Sequence, residues 1–146
     1  MKSLTDAVRK ANRVYLIGNG GSAANAIHIA NDLISCGIKA QALLDISTIT
    51  AIANDYGYEH VFSRQLEVFG NKGDLLVCLT GSGNSMNILE AITKAKSKGM
   101  DVLVITGGGK AATMAPHILT DDNMQLSEER QLILGHEAMV SLSNEA

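Results

Sequence analysis

The residues able to do chemistry in this sequence gather in two short glycine- and serine-rich segments and on two stretches with helical spacing. Gly18-Asn19-Gly20-Gly21-Ser22 follows one apolar run, and Thr80-Gly81-Ser82-Gly83-Asn84-Ser85 follows another. Glycines let the backbone close around an oxyanion, and the hydroxyls of Thr80, Ser82 and Ser85 add donors. Each segment also opens a helix, whose free N–H groups and dipole favour an anion, phosphate above all. The second turn lacks the Gly-Lys-Ser/Thr of a nucleotide-binding P-loop, and Ala23 stands where a dinucleotide fingerprint needs its third glycine. No nucleotide cofactor is therefore expected, and a sugar phosphate suits the turns better than NAD or ATP. The competing reading is that glycine and serine here only cap helices.

His28 and Asp32 lie four residues apart on one helix face, and Glu128, Glu129 and His136 lie on a later helix. A histidine and a carboxylate converging near a phosphate pocket can serve as general acid and base, or can bind a divalent metal. The alternative is a structural histidine, with acidic residues that merely complement a helix dipole.

These groups need a scaffold that brings them together. Val14 to Ile17, Leu75 to Leu79 and Val102 to Ile105 are apolar throughout, Lys39 to Leu44 reads as a further strand, and Pro116 to Leu119 as a short last one. Helices are expected over residues 22–33, 46–53, 58–69, 86–98 and 125–143, with a third glycine turn over Thr106 to Lys110. Fully apolar strands alternating with helices imply an α/β fold: a doubly wound, flavodoxin-like three-layer sandwich on a parallel sheet of about five strands. Ligands of such sheets bind beyond the carboxyl ends of the strands, where both polar glycine turns fall.

Composition sets the outer limits. The chain has 146 residues, of which 46% are hydrophobic and 18% charged, with a formal net charge of −3. It fits a single domain over residues 1–146 that needs neither disulfides nor metal in order to fold. The mild acidity and the absence of Lys/Arg runs argue against nucleic acid or an anionic membrane as partner. With three tyrosines, two phenylalanines and no tryptophan, base-stacking surfaces are not expected either. Cys36 and Cys78 sit in apolar surroundings and read as reduced thiols of a cytoplasmic protein. No apolar stretch is long enough to cross a bilayer.

Four segments together resemble the phosphoheptose isomerase branch of the sugar-isomerase (SIS) domain family: Gly18-Asn-Gly-Gly-Ser-Ala-Ala-Asn-Ala-Ile-His28, Thr50-Ala-Ile-Ala-Asn-Asp-Tyr-Gly-Tyr58, Phe62-Ser-Arg-Gln65 and Ser82-Gly-Asn-Ser85. The resemblance implies conversion of sedoheptulose 7-phosphate to glycero-manno-heptose 7-phosphate through an enediol. It implies that Asn19, Gly20, Gly21, Ser22, Asn54, Asp55, Asn84 and Glu128 contact substrate, and that Thr80, Gly81, Ser82 and Ser85 hold its phosphate. Asp32 and His136 fall on the family's catalytic carboxylate and histidine. Some members bind zinc, for which the matching positions are His28, Asp32, Glu128 and His136. A homo-oligomer, dimer or tetramer, is implied as well, although only Met1 to Asn12 precede the first strand where relatives carry a long helix. The rival reading is a non-catalytic SIS module, either a sugar-phosphate sensor or an oligomeric protein-binding adaptor.

The sequence departs from the pattern of that family at four positions. Asp32 replaces glutamate and shortens the reach by one methylene, and Glu128 replaces glutamine, adding a charge that favours a metal and repels an anion. Gly81 removes a hydroxyl from the phosphate turn, and Cys36 stands where an arginine is usual. Glu128 and His136 are also roughly 12 Å apart along one straight helix. The two can share an ion only if the helix begins after Glu128 or if neighbouring subunits share the site.

Overall fold

The computed structural model describes residues 3–145. Met1, Lys2 and Ala146, at the ends of the expected domain, lie outside them. The elements follow one another as α1 (Leu4–Lys10), β1 (Val14–Gly18), α2 (Gly21–Ser35), β2 (Ala40–Ala42), α3 (Ile46–Tyr56), a 3₁₀ turn (Tyr58–His60), α4 (Ser63–Phe69), β3 (Leu75–Thr80), α5 (Met86–Ser97), β4 (Asp101–Thr106), α6 (Ala111–Met114), β5 (His117–Leu119) and α7 (Met124–Ser143). The five strands form one parallel sheet in the order β2-β1-β3-β4-β5, the flavodoxin-like order expected from the sequence.

Alternation along the strands divides the core in two. Val14 and Leu16 with Leu75, Val77 and Leu79 face α1, α2 and α7, while Tyr15 and Ile17 with Leu76, Cys78, Val102 and Val104 face α4 and α5. Both faces are covered, so β1 and β3 are buried at every position, and each large aliphatic side chain contributes about 1.5–3 kcal/mol by leaving water.

Helix starts are set locally. Ser3, Asp45 and Asn123 each accept a hydrogen bond from a first-turn amide of α1, α3 and α7. The single helix expected over residues 58–69 is instead broken, because Val61 and Phe62 both turn into the core. At the break the Gln65 side-chain amide donates to the carbonyls of Val61 (2.9 Å) and Leu43 (3.0 Å). The expected strand 39–44 shortens to Ala40–Ala42, the helix expected over 46–53 runs on to Tyr56, and the short α6 was not expected at all.

The last helix buries Ser127, Gln131, Gly135, Ala138 and Leu142, and leaves the apolar Ile133 and Val140 more than half exposed. Gly135 matters most for packing, since a Cβ there would lie 2.5 Å from Ile29 Cγ1. Its absence lets α7 lie close along α2. Among the described residues no helix is long and apolar enough to cross a membrane.

Strand order also locates the site. From β1 the chain moves to β2 on one side, and from β3 to β4 on the other, so the carboxyl ends of the adjacent strands β1 and β3 open a crevice. The two glycine turns follow these two strands.

Candidate active site

The second turn is held by its own polar groups. The amide of Gly83 donates to Thr80 Oγ1 (3.1 Å), and that of Asn84 to Ser82 Oγ (3.2 Å). Gly83 has φ +70, and a Cβ there would collide with the Gly108 carbonyl, so the second turn is interlocked with the third. Asn84 serves that interlock: its Oδ1 accepts from the Lys110 amide (3.0 Å). Ser85 opens α5 with no side-chain cap bond, and the first amides of a helix have no intrahelical partner.

Together the turns enclose a cavity of about 290 Å³. Asn19, Gly20, Gly21 and Ser22 line one wall, and Thr80, Gly81, Ser82 and Ser85 the other, with Met124 and Glu128 of α7 across the top. The starts of α2 and α5 both meet it, so two helix dipoles favour an anion there. Two glycines of these walls meet side chains of α7. The Met124 sulfur lies in the space that a side chain at position 81 would take. The Glu128 carboxylate lies against Gly21. Ser22 lines the cavity but is itself buried, and its Oγ accepts from Gln131 Nε2 (3.1 Å). Asn25 extends that polar seam by donating to the Glu128 carbonyl (2.8 Å) and to Gln131 Oε1 (3.0 Å).

Further along the α2–α7 seam lies a separate cluster. His28 Nε2 is 3.1 Å from His136 Nε2, and Asp32 Oδ2 is 3.3 Å from the first and 3.4 Å from the second. Four tetrahedral ligands at zinc-like bond lengths would be separated by about 3.3 Å. Asp32 Oδ2 is buried and accepts no properly angled hydrogen bond, an unmet acceptor that a cation between the three atoms would satisfy. The three side chains therefore fit a divalent metal with one ligand position left open.

Glu128 does not join this cluster. Helix α7 begins at Met124, which excludes a start after Glu128 and leaves Glu128 and His136 two turns apart on one helix. Asn54 and Asp55 are not gathered in either: they lie exposed at the end of α3, with Asn54 Nδ2 donating to Asp55 Oδ1 (3.0 Å). Met124, Tyr58 and Asn87 border this cavity or the one beside it and were not among the site residues expected from the sequence. Tyr58 ends one of the segments that carry the family resemblance, and Asn87 is a polar residue in the first turn of a helix that opens from a glycine turn; Met124 carried no signal.

The SIS domain family model matches residues 1–107. The phosphoheptose isomerase of Glaesserella parasuis is 41% identical over 136 residues, which cover 84% of this chain and 71% of that protein. Among solved structures, the phosphoheptose isomerase of Neisseria gonorrhoeae superposes with a TM-score of 0.87 at 34% identity over 97% of this chain and 81% of its own. That of Francisella tularensis gives 0.89 at 30% identity over 97% and 83%. Fold and sequence agree that this chain belongs to the phosphoheptose isomerase branch of the SIS domain family.

Proposed function

We propose that the protein is a phosphosugar aldose–ketose isomerase that converts sedoheptulose 7-phosphate to D-glycero-D-manno-heptose 7-phosphate. The observation that carries this reading is the placement of a phosphate-type cavity and a carboxylate–imidazole cluster along one α2–α7 seam. From Gly21 to His28 the helix rises roughly 10 Å, a span of the order of an extended seven-carbon sugar phosphate. With the phosphate among Ser82, Ser85 and the starts of α2 and α5, the far end of the sugar reaches Asp32 and His136.

Isomerisation moves a proton between adjacent carbons. In this reading Asp32 and His136 are the acid–base pair: the carboxylate takes the proton from the carbon beside the carbonyl, and the imidazole protonates the carbonyl oxygen, giving the enediol. Return of the proton to the neighbouring carbon, with loss of the hydroxyl proton from the first, completes the exchange. Zinc held by His28, Asp32 and His136 would instead supply a Lewis acid that polarises the carbonyl, in place of the proton from the imidazole. Lacking any cationic lining residue, the cavity neutralises phosphate by backbone N–H groups and dipoles.

Residues 1–146 are read as one SIS domain acting in the cytoplasm with Cys36 and Cys78 reduced. A second copy of the chain, in a dimer or tetramer, is expected to cover Ile27 and Ile34 of α2 and Ile133 and Val140 of α7, all more than half exposed on the two helices that carry the cluster. Incubation with sedoheptulose 7-phosphate, with and without zinc, tests the activity. Aldose formation that is lost in Asp32→Asn and His136→Ala supports it. Absence of turnover under both conditions refutes it and favours a sensor or adaptor module.

A further inference from the structure

Asn19 lies where the phosphate cavity meets a second one of about 450 Å³ that runs toward Tyr58 and Glu59, and with Ser85 it borders both. Its side chain is committed on one side. Nδ2 donates to Asn87 Oδ1 (2.9 Å), while Oδ1 accepts from Asn87 Nδ2 (2.9 Å) and from the Tyr58 hydroxyl (2.8 Å). Both lone pairs of the Asn19 carbonyl are thereby used, and one of its two N–H bonds has no partner among the described residues. Asn87 is 2% exposed, in the first turn of α5. Turning over the Asn19 amide alone would set its NH₂ against that of Asn87, so the reciprocal pair fixes which way Asn19 faces.

We infer that Asn87 is a positioning residue for the sugar end of the pocket: through its amide pair with Asn19, and with Tyr58 as a second donor, it holds the remaining Asn19 N–H as a fixed donor to a sugar oxygen. The inference rests on the sugar-phosphate reading and adds to it the residue that orients the sugar independently of the phosphate. A hydroxyl or carbonyl oxygen accepts such a bond, whereas inorganic phosphate, bound among the turns, has no need of it. The pair also ties the turn after β1 to the helix after β3, across the crevice.

The test is equilibrium binding of two probes, a heptitol 7-phosphate, which is reduced and cannot isomerise, and inorganic phosphate. Asn87→Asp keeps an acceptor for Asn19 Nδ2 but cannot donate to Oδ1, and Tyr58→Phe removes the second donor from the exposed side without placing a charge in the core. A hydrogen bond of ordinary net strength is worth up to about tenfold in affinity. We therefore expect heptitol phosphate to bind about tenfold more weakly to Asn87→Asp and about threefold more weakly to Tyr58→Phe, with inorganic phosphate within about twofold of the parent protein in both. Equal weakening of both probes, or no change in either, overturns the inference, because the pair would then only brace the turns or do nothing for the ligand. Should Asn87→Asp fail to fold, Tyr58→Phe alone decides by the same split. A parent protein that binds the two probes equally refutes the sugar-phosphate reading together with the inference. One that prefers heptitol phosphate, with variants that prefer it as strongly, refutes only the role of Asn87.

Discussion

The glycine-turn cavity and the His28–Asp32–His136 cluster occupy the same helix pair, yet they are built by different means. The cavity is made largely of backbone: two turns at neighbouring strand ends, two helix starts, and a third turn that locks the second through Gly83, Gly108 and Asn84. The cluster is made of side chains one turn apart on α2 and one residue of α7, brought into contact because Gly135 lets the helices approach. Backbone recognition tolerates changes of side chain, which suits a phosphate common to many substrates. A side-chain cluster can be altered residue by residue, which suits the step that defines the reaction.

Substitutions should separate the two regions. The largest effect is expected at the cluster, where Asp32→Asn or His136→Ala should lower kcat by about 10²–10⁴, the usual range for a positioned acid or base, with inorganic phosphate affinity unchanged by calorimetry. Next comes Gly83→Ala in the cavity. With φ +70 and the Gly108 carbonyl in the way, it should cost about 2–4 kcal/mol of stability in denaturant titration and abolish phosphate binding.

Gly135→Ala should be milder. A Cβ 2.5 Å from Ile29 forces the helices apart at a cost of about 1–3 kcal/mol, and should weaken zinc uptake more than phosphate binding. At the mildest, Glu128→Gln removes a carboxylate from a cavity with no cationic lining residue and should tighten phosphate binding by up to about tenfold, a shift of the order of 1 kcal/mol. Weaker binding instead would show that Glu128 serves the ligand directly.

The contrast between the regions also explains what could be read in the sequence. Cavity walls were legible because they are local: each glycine turn is contiguous, follows an apolar run and opens a helix, so strand order alone brought Gly20 and Ser82 together. His28 and Asp32 were legible as an i, i+4 pair, and His136 joined them only through the family resemblance, since no spacing links residue 28 to residue 136. The Asn19–Asn87 pair spans 68 positions and left no periodic trace. Asn84 lies inside a Ser-Gly-Asn-Ser motif, and nothing in that motif announces that its Oδ1 also accepts from the Lys110 amide of a turn 26 residues away. The break at Val61 and Phe62 was hidden for a related reason: tertiary burial of two consecutive apolar residues overrides a helical pattern that is acceptable locally.

If the cavity and the cluster meet one ligand, the Asp32→Asn protein offers the most direct measurement. Titrated with sedoheptulose 7-phosphate, it is predicted to bind within a few-fold of the affinity of the parent protein for a non-isomerising heptitol 7-phosphate and to form no aldose. Undiminished aldose formation would contradict the role of Asp32 at the reacting carbons, and loss of binding together with turnover would contradict the division between the two regions.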